Sequence, residues 1–571
     1  MNTLQERLLG SISTDEMWKH LEKLCEWDRT TGTEGEHAAV DYVASVLRSY
    51  GLPVTIHEYR AYISHPISGG LTVRINGESI DLPAKTRAFS ANTPAEGLSG
   101  DLVSIQGGTN MFKADNAVNL ISPETVGGKI VLSESGSRGS MLAAKNAGAV
   151  GYIHMWPSDE DVIHEGIVTP VWGTPTPESA GNIPNFPIIS IKHNDGLRLR
   201  AALKDGAVSG TIHSVTRTGW LDVKMPVTDI AGQEDDFVLV AGHIDSWHYG
   251  ATDNATGNVS CLELARVLKE HQSELRRGVR IAWWVGHSTG RYSGSAWYAD
   301  NHWDELDANC VAYINIDSPG SLGAVDYSEV TAVPETASLV TDAVVELTGQ
   351  TPNIERPMRA GDQSFWGVGL PSLFMLLSNR PEGQRAAVGG CGMGWWWHAE
   401  EDLVDKADRD VLLKDTQIYA HALLRLTQDE VLPLDLQAQI SDLKTMVASI
   451  SESAGNHVDL SSVIGKLDEL DSALNVINTV PAAQANEVIK AVSHALTTLS
   501  FTSGNRFDHD PAMPLPAFPA LDGARKLAQL DPSSNDYGFL FTRLVRNRNM
   551  VNHELNTAIA VCRAAQSRNV A

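Results

Sequence analysis

The chain reads as an α/β protein: a mostly parallel sheet covered by helices, with a β-rich insertion and a helical C-terminal part. Three observations predict this. The runs FVLVAGHID and VRIAWWVG are almost uniformly apolar, as in strands buried on both faces. From about residue 220 such runs alternate with segments of helical period, the pattern of strand–helix–strand units. After about residue 430 the strands stop and only amphipathic helices follow.

The elements follow in order. The start, MNTLQERLLGSISTDEMWKHLEKLCEWD, has an amphipathic, acidic helix pattern. Ala38, Val40, Tyr42, Val43, Val46 and Leu47 give the next helix an apolar face, and Tyr50-Gly51 stops it. PVTIHEYRAYI reads as a strand. Residues 62–219 then carry short β runs separated by glycines, with GKIVLSES and AKNAGAVGYIHMW as strand, short helix and strand. The alternating part runs FVLVAGHID (strand), ATGNVSCLELARVLKEH (helix), VRIAWWVG (strand), SAWYADNHW (helix), CVAYINIDSPG (strand), ETASLVTDAVVELTG (helix) and LPSLFMLLS (strand). Helices over LDLQAQISDLKTMVASISES, LSSVIGKLDELDSALNVIN and NEVIKAVSHALTTL come next. The Pro-rich connector DPAMPLPAFPAL precedes a last helix, FLFTRLVRNRNMVNHELNTAIAVCRAA. The division that results is 1–61 with 220–430, an inserted 62–219, and 431–571.

Of 571 residues, 42% are hydrophobic and 20% charged, which excludes a disordered or collagen-like chain. The 70 acidic residues against 44 Lys and Arg leave a net charge of −26, so no basic field exists to collect the phosphates of a nucleic acid. The acidic surplus reads as a solvated surface. Five widely spaced cysteines read as reduced thiols, not as a disulfide framework. Neither a targeting segment nor an apolar run of membrane-spanning length is present, and the expectation is a soluble cytoplasmic protein.

The chemistry gathers where strands end. His243 and Asp245 follow FVLVAG, Asp253 lies in the next loop, Asp317 ends CVAYINI, and His398 follows Trp395-Trp396-Trp397. Ligands of open α/β sheets bind beyond the carboxyl ends of the strands. Two imidazoles with carboxylates suit zinc or another first-row dication. Asp245, two residues from His243, is placed to orient it. The tryptophan run reads as core before substrate wall.

GHIDSWHYGATDNATGN, RRGVRIAWWVG, GSAWYADN and VAYINIDS resemble zinc aminopeptidase family M28, and within it the branch of glutamate carboxypeptidase II and the transferrin receptor. Residues 62–219 are similar to that branch's protease-associated (apical) domain, and residues 431–571 to its dimerisation domain. The resemblance implies a dinuclear centre bridged by Asp253. His243 and Asp317 would hold one metal and His398 the other. It also implies an adjacent Glu-Glu pair, base and ligand, after the strand VRIAWWV. An ungapped alignment puts His287 and Ser288 there instead. The first metal position keeps its ligands, so one firm zinc site and a weak or remodelled second one are expected. His287 is then either a replacement ligand or the base, its ordinary pKa of about 6.5 suiting proton transfer near neutrality.

The resulting site is His243, Asp253, Asp317 and His398 for the metal, with His287, Asp245, Ser288 and Tyr292 as catalytic candidates. His248, Arg291, Arg359, Asp362, Ser364, Glu400 and Glu401 surround it. The expected activity is hydrolysis of a small amide or peptide-like substrate. A lyase acting on a small carboxylate substrate is a variant, because the family base is missing. Two rivals stand beside it. One is a non-catalytic scaffold like the transferrin receptor. The other is a serine hydrolase, since Gly286-His287-Ser288-Thr289-Gly290 matches the nucleophile-elbow pattern after a strand. The amphipathic C-terminal helices predict a homodimer.

Overall fold

The computed structural model describes residues 3–108, 116–387 and 389–570. Residues 1–2, 109–115, 388 and 571, which belong to the domains outlined above, lie outside the described residues. The strands are β1 (Val54–Ile75), β2 (Glu78–Thr86), β3 (Leu98–Ser104), β4 (Ile130–Ser133), β5 (Gly151–Met155), β6 (Ile188–Ile191), β7 (Val208–Ile230), β8 (Phe237–His243), β9 (Gly278–Trp284), β10 (Cys310–Asn315), β11 (Glu329–Thr331), β12 (Asn353–Glu355) and β13 (Ser372–Leu373).

The sheet that carries the site runs β1–β7–β9–β8–β10–β13. Strands β9, β8, β10 and β13 are mutually parallel, and β7 lies antiparallel to β9. Every residue of β8 and β10 is buried, because helices cover both faces. The helix Thr256–Glu270 packs with them and buries all but three of its residues. The helix Glu34–Ser49 begins on Thr33, whose side chain accepts from the Glu36 N–H, and it stops before Gly51, where φ is +75°.

Strands β1 and β7 are far longer than the sequence predicts. They pair antiparallel from Val54↔Thr228 to Ile75↔Val208, so the expected boundaries at 61/62 and 219/220 fall inside single strands. Their outer halves close a ring of seven strands: β1–β2–β6–β5–β4–β3–β7 and back to β1. Successive residues of this ring feed two apolar clusters, with Ile130, Leu132 and Ile153 in one and Val131 and Tyr152 in the other.

LPSLFMLLS yields only the two-residue β13; the rest of the run is loop, buried except at Leu376, which is half-buried. The Pro-rich connector also differs from expectation, since Pro519 opens a further helix, Pro519–Leu527. The C-terminal part packs that helix with Leu436–Ala454, Ser461–Ala473, Ala482–Phe501 and Asn535–Val570. All five cysteines are free, and no described helix is long and apolar enough to cross a membrane.

Candidate metal centre

Three parallel strands deliver the centre. His243 is the last residue of β8, His287 lies three residues past β9, and Asp317 lies two past β10. Asp253 sits in the turn after β8 and His398 in the loop after the tryptophan run. Asp253 joins them: its Oδ1 is 3.0 Å from His243 Nε2 and its Oδ2 is 3.3 Å from His398 Nε2. Asp317 Oδ1 is 3.5 Å from His243 Nε2. Donor atoms of His243, His287 and Asp317 all lie within 4.8 Å of one another. The four expected metal residues therefore converge, and His287 joins them.

The imidazoles are held by their other nitrogens. His243 Nδ1 bonds the Asp245 carbonyl at 2.8 Å, and His398 Nδ1 bonds the Glu165 carbonyl at 3.2 Å. Each Nε2 is thereby turned toward the carboxylates, the arrangement metal-ligating histidines need. Two imidazoles and two carboxylates, nitrogen and oxygen donors in a buried cleft, fit a divalent first-row cation.

The electrostatics agree with the geometry. Burial disfavours the charged form of His243, but Asp317 and Asp253 outweigh it and hold its pKa well above the usual value. Asp253 is driven well below the usual carboxylate range despite burial, because His243 and His398 bond to it. For His398 burial wins and its pKa falls.

Asp245 does not orient His243 through its side chain, as the sequence suggests, but through its backbone carbonyl. Its carboxylate instead accepts the N–H groups of His287 (3.0 Å) and Ser288 (2.9 Å) and the Thr31 hydroxyl (3.0 Å), fixing the loop after β9. His287 stacks on His243 with ring centroids 3.7 Å apart. Its Nδ1 is 2.7 Å from Asp362 Oδ2, while Asp362 Oδ1 accepts from Ser295 at 2.7 Å. Nδ1 therefore donates a proton to Asp362. Tyr292 meets the His287 ring edge-on at 4.8 Å. Among the described residues the Ser288 hydroxyl has no histidine within hydrogen-bond distance, so the elbow lacks its base.

The second-tier residues divide. His248 turns to Glu165 (3.3 Å), not to the metal residues. Glu400 and Glu401 are exposed, with Glu400 paired to Lys85 at 2.8 Å. Arg359 braces Trp172 and bonds the Asp510 carbonyl, and Ser364 bonds Trp172 and Ser295. Trp396 is core and bonds Thr252. Trp397 stacks on His398 at 3.6 Å and also lines the cavity.

Sequence reasoning missed Asp402. It is buried and accepts from the Thr252 N–H and hydroxyl and from the Asp253 N–H, so it holds the turn that carries the central carboxylate. Burial pushes it up to about 7. Also missed were Arg87 and Arg138, which line the cavity of about 70 Å³ in front of Asp253, Asp317, His287 and His398. Several residues around this cavity hold positive φ, among them Arg291, Tyr292, Ser318, Asp362 and His398. Such backbone strain gathers at functional sites.

Fold and donor set together define an α/β protein with a candidate metal centre at the carboxyl edge of its sheet. Residues 227–423 match the model of peptidase family M28. The chain is 25% identical over 543 residues to a probable glutamate carboxypeptidase of Zea mays, a match covering 81% of this chain and 73% of that one. It is 23% identical over 359 residues to an inactive zinc metalloprotease of Schizosaccharomyces pombe, covering 52% and 42%. In fold it is similar to a zinc aminopeptidase from Bacillus subtilis, with a TM-score of 0.54, 19% identity, and 73% of this chain and 96% of that one covered.

Proposed function

We propose that the protein is a metal-dependent hydrolase of a small amide or peptide-like substrate, with zinc held by His243, Asp253, Asp317 and His398. A dication bound there would polarise the scissile carbonyl and lower the pKa of water. His287 replaces the family's glutamate base. With Nδ1–H donated to Asp362, its Nε2 accepts a proton from water and returns it to the leaving nitrogen, while Asp362 stabilises the imidazolium. The observation that carries this reading is the 2.7 Å bond between His287 and buried Asp362, which fixes the reactive tautomer beside the metal residues.

A second reading is favoured by the mutual proximity of the His243, His287 and Asp317 donors: His287 is itself a ligand. Metal analysis by plasma mass spectrometry separates the two. Under the base reading, His287→Ala keeps one zinc per chain and loses turnover on an amide library. Under the ligand reading it loses the zinc. A wild-type chain that retains no metal after equilibration with zinc, manganese or nickel refutes both and returns the scaffold reading. Turnover that survives in metal-retaining His287→Ala removes the residue from the mechanism, and elimination products in place of hydrolysis establish the lyase.

The same proposal includes residues 62–219 as an apical domain, residues 431–571 as a helical dimerisation domain, and a cytoplasmic homodimer. Phe539, 72% exposed on the last helix, with Phe541 nearby, supports the dimer. A monomer in equilibrium sedimentation rejects it.

A further inference from the structure

We propose that a second cavity, separate from the metal centre, is a binding site for a small organic cation: an ammonium or guanidinium group on an aromatic or aliphatic body. The inference goes beyond the function proposed above and does not depend on it.

The cavity holds about 780 Å³, against about 70 Å³ in front of the metal residues, and the two share no lining residue. Sites for drug-sized ligands run to roughly 300–1,000 Å³. Three parts of the chain meet around it. The loop between β5 and β6 supplies Trp172 and Glu178. The helices Ser293–Asn301 and Trp303–Asn309 supply Asp300 and Trp303, and the stretch leading into the Pro-rich connector supplies Phe507 and Asp508. Their edges are tied together. The Ala512 N–H donates to the Pro170 carbonyl at 2.8 Å, and Arg506 donates to the Gly367 and Val368 carbonyls at 3.0 and 2.8 Å. Walls held in this way cost little further ordering when a ligand enters.

The apolar surface is aromatic. Phe507 is 64% exposed and tilts toward Trp303, with ring centroids 4.7 Å apart. Trp172 stands between the two cavities, since it lines this one and packs at 4.3 Å on Tyr292, which lines the other.

The charged surface has one sign. Glu178, Asp300 and Asp508 line the cavity, and no Lys or Arg stands among its described lining residues. Asp300 bonds the His509 imidazole at 3.0 Å, and Asp508 accepts from the Asn505 amide at 2.9 Å. Arg506 lies 5.6 Å from the Trp303 ring, but it is turned to its backbone carbonyls and does not line the cavity. With 70 acidic residues against 44 Lys and Arg, surface carboxylates without a cation are common in this chain. What sets these three apart is that they share a concave pocket with exposed aromatic rings.

Ring faces are negative and attract cations, and carboxylates in a cleft walled by apolar side chains focus a field of the same sense. An ammonium or guanidinium head meets both. An anion of the same shape is repelled, and a neutral body gains only the contact with the rings.

The test uses full-length protein stripped of metal by a chelator. It is titrated with phenylpropyltrimethylammonium in calorimetry, with tryptophan emission as a second readout. Phenylpropanol, phenylbutyrate and sodium chloride at matched ionic strength are the controls. The expected result is saturable binding of the cation, about tenfold tighter than of phenylpropanol, with phenylbutyrate weaker still. Phe507→Ala, and Glu178→Gln combined with Asp508→Asn, each weaken it about tenfold. Both variants melt at the wild-type temperature without the probe, because all three side chains are exposed. Phenylpropanol or phenylbutyrate binding as tightly as the cation overturns the proposal. So does uptake that neither variant diminishes, which assigns the cation to the acidic surface at large. Binding that fades as protein concentration rises also overturns it, and gives the cavity to a contact between copies of this chain. Because the protein carries no metal, failure here leaves the hydrolase reading untouched, and failure of that reading leaves the cation site standing.

Discussion

Glu335 offers a measurement that needs no substrate. It lies fully buried in the short turn Pro334–Thr336, where Thr497 of the helix Ala482–Phe501 donates to its Oε1 at 2.7 Å. Burial, aided by Asp435, pushes its carboxyl up to about 8 from the ordinary 4.5. A raised folded-state pKa adds stability that is fully present below about 4.5 and is lost as pH rises through about 8. At about 1.4 kcal/mol per pH unit, the loss across that window approaches roughly 5 kcal/mol. Glu335→Gln removes the titration and keeps an oxygen for Thr497. The variant should therefore match the wild type near pH 4.5 and exceed it by about 3–5 kcal/mol at pH 9. Urea unfolding at pH 5, 7 and 9 reads the difference, and hydrogen exchange of the helix Ala482–Phe501 reads it locally. If both proteins change in parallel with pH, the burial argument is wrong.

Asp402→Ala strands two N–H groups and a hydroxyl in the interior, at about 1–3 kcal/mol each. A destabilisation of about 3–5 kcal/mol in urea, with loss of metal retention, is expected, and Asp402→Asn should recover part of both. Asp362→Asn presents a donor to His287 Nδ1 and so forces the proton onto Nε2. Nitrogen-15 spectra should show that tautomer, with turnover down by roughly 10²–10⁴ as in other tautomer-reversing variants. Zinc at a hundred times its dissociation constant should stabilise the wild type by about 2.7 kcal/mol, and His243→Ala should abolish the melting shift. A shift that persists in that variant would place the ion elsewhere.

The sheet and its ligands were legible because they have local signatures. β8 and β9 are continuous apolar runs, and His243 and Asp317 stand where those runs and β10 end. What was not legible depends on distant partners. The outer halves of β1 and β7 look like separate short strands, since only their mutual pairing joins them across more than a hundred residues. LPSLFMLLS is apolar because its loop is buried, which periodicity does not distinguish from a strand. Glu400 and Glu401 drew notice for standing near His398, yet the useful carboxylate is Asp402, selected by three buried donors from residues 252–253. Lone arginines at 87 and 138 have no pattern at all until the ring brings them to the cavity.

One contact between the ring and the sheet has a wider consequence. The Glu165 N–H donates to the His398 carbonyl at 2.8 Å, the His398 ring bonds back to Glu165, and His164 bonds the Trp397 carbonyl at 2.6 Å. The cleft therefore lies where the strand ring meets the parallel sheet, and one of its candidate metal ligands is held in part from the ring side. A displacement of the ring against the sheet would release one of the contacts that hold His398 opposite Asp253, so the position of one candidate ligand depends on a strand ring more than two hundred residues away in sequence.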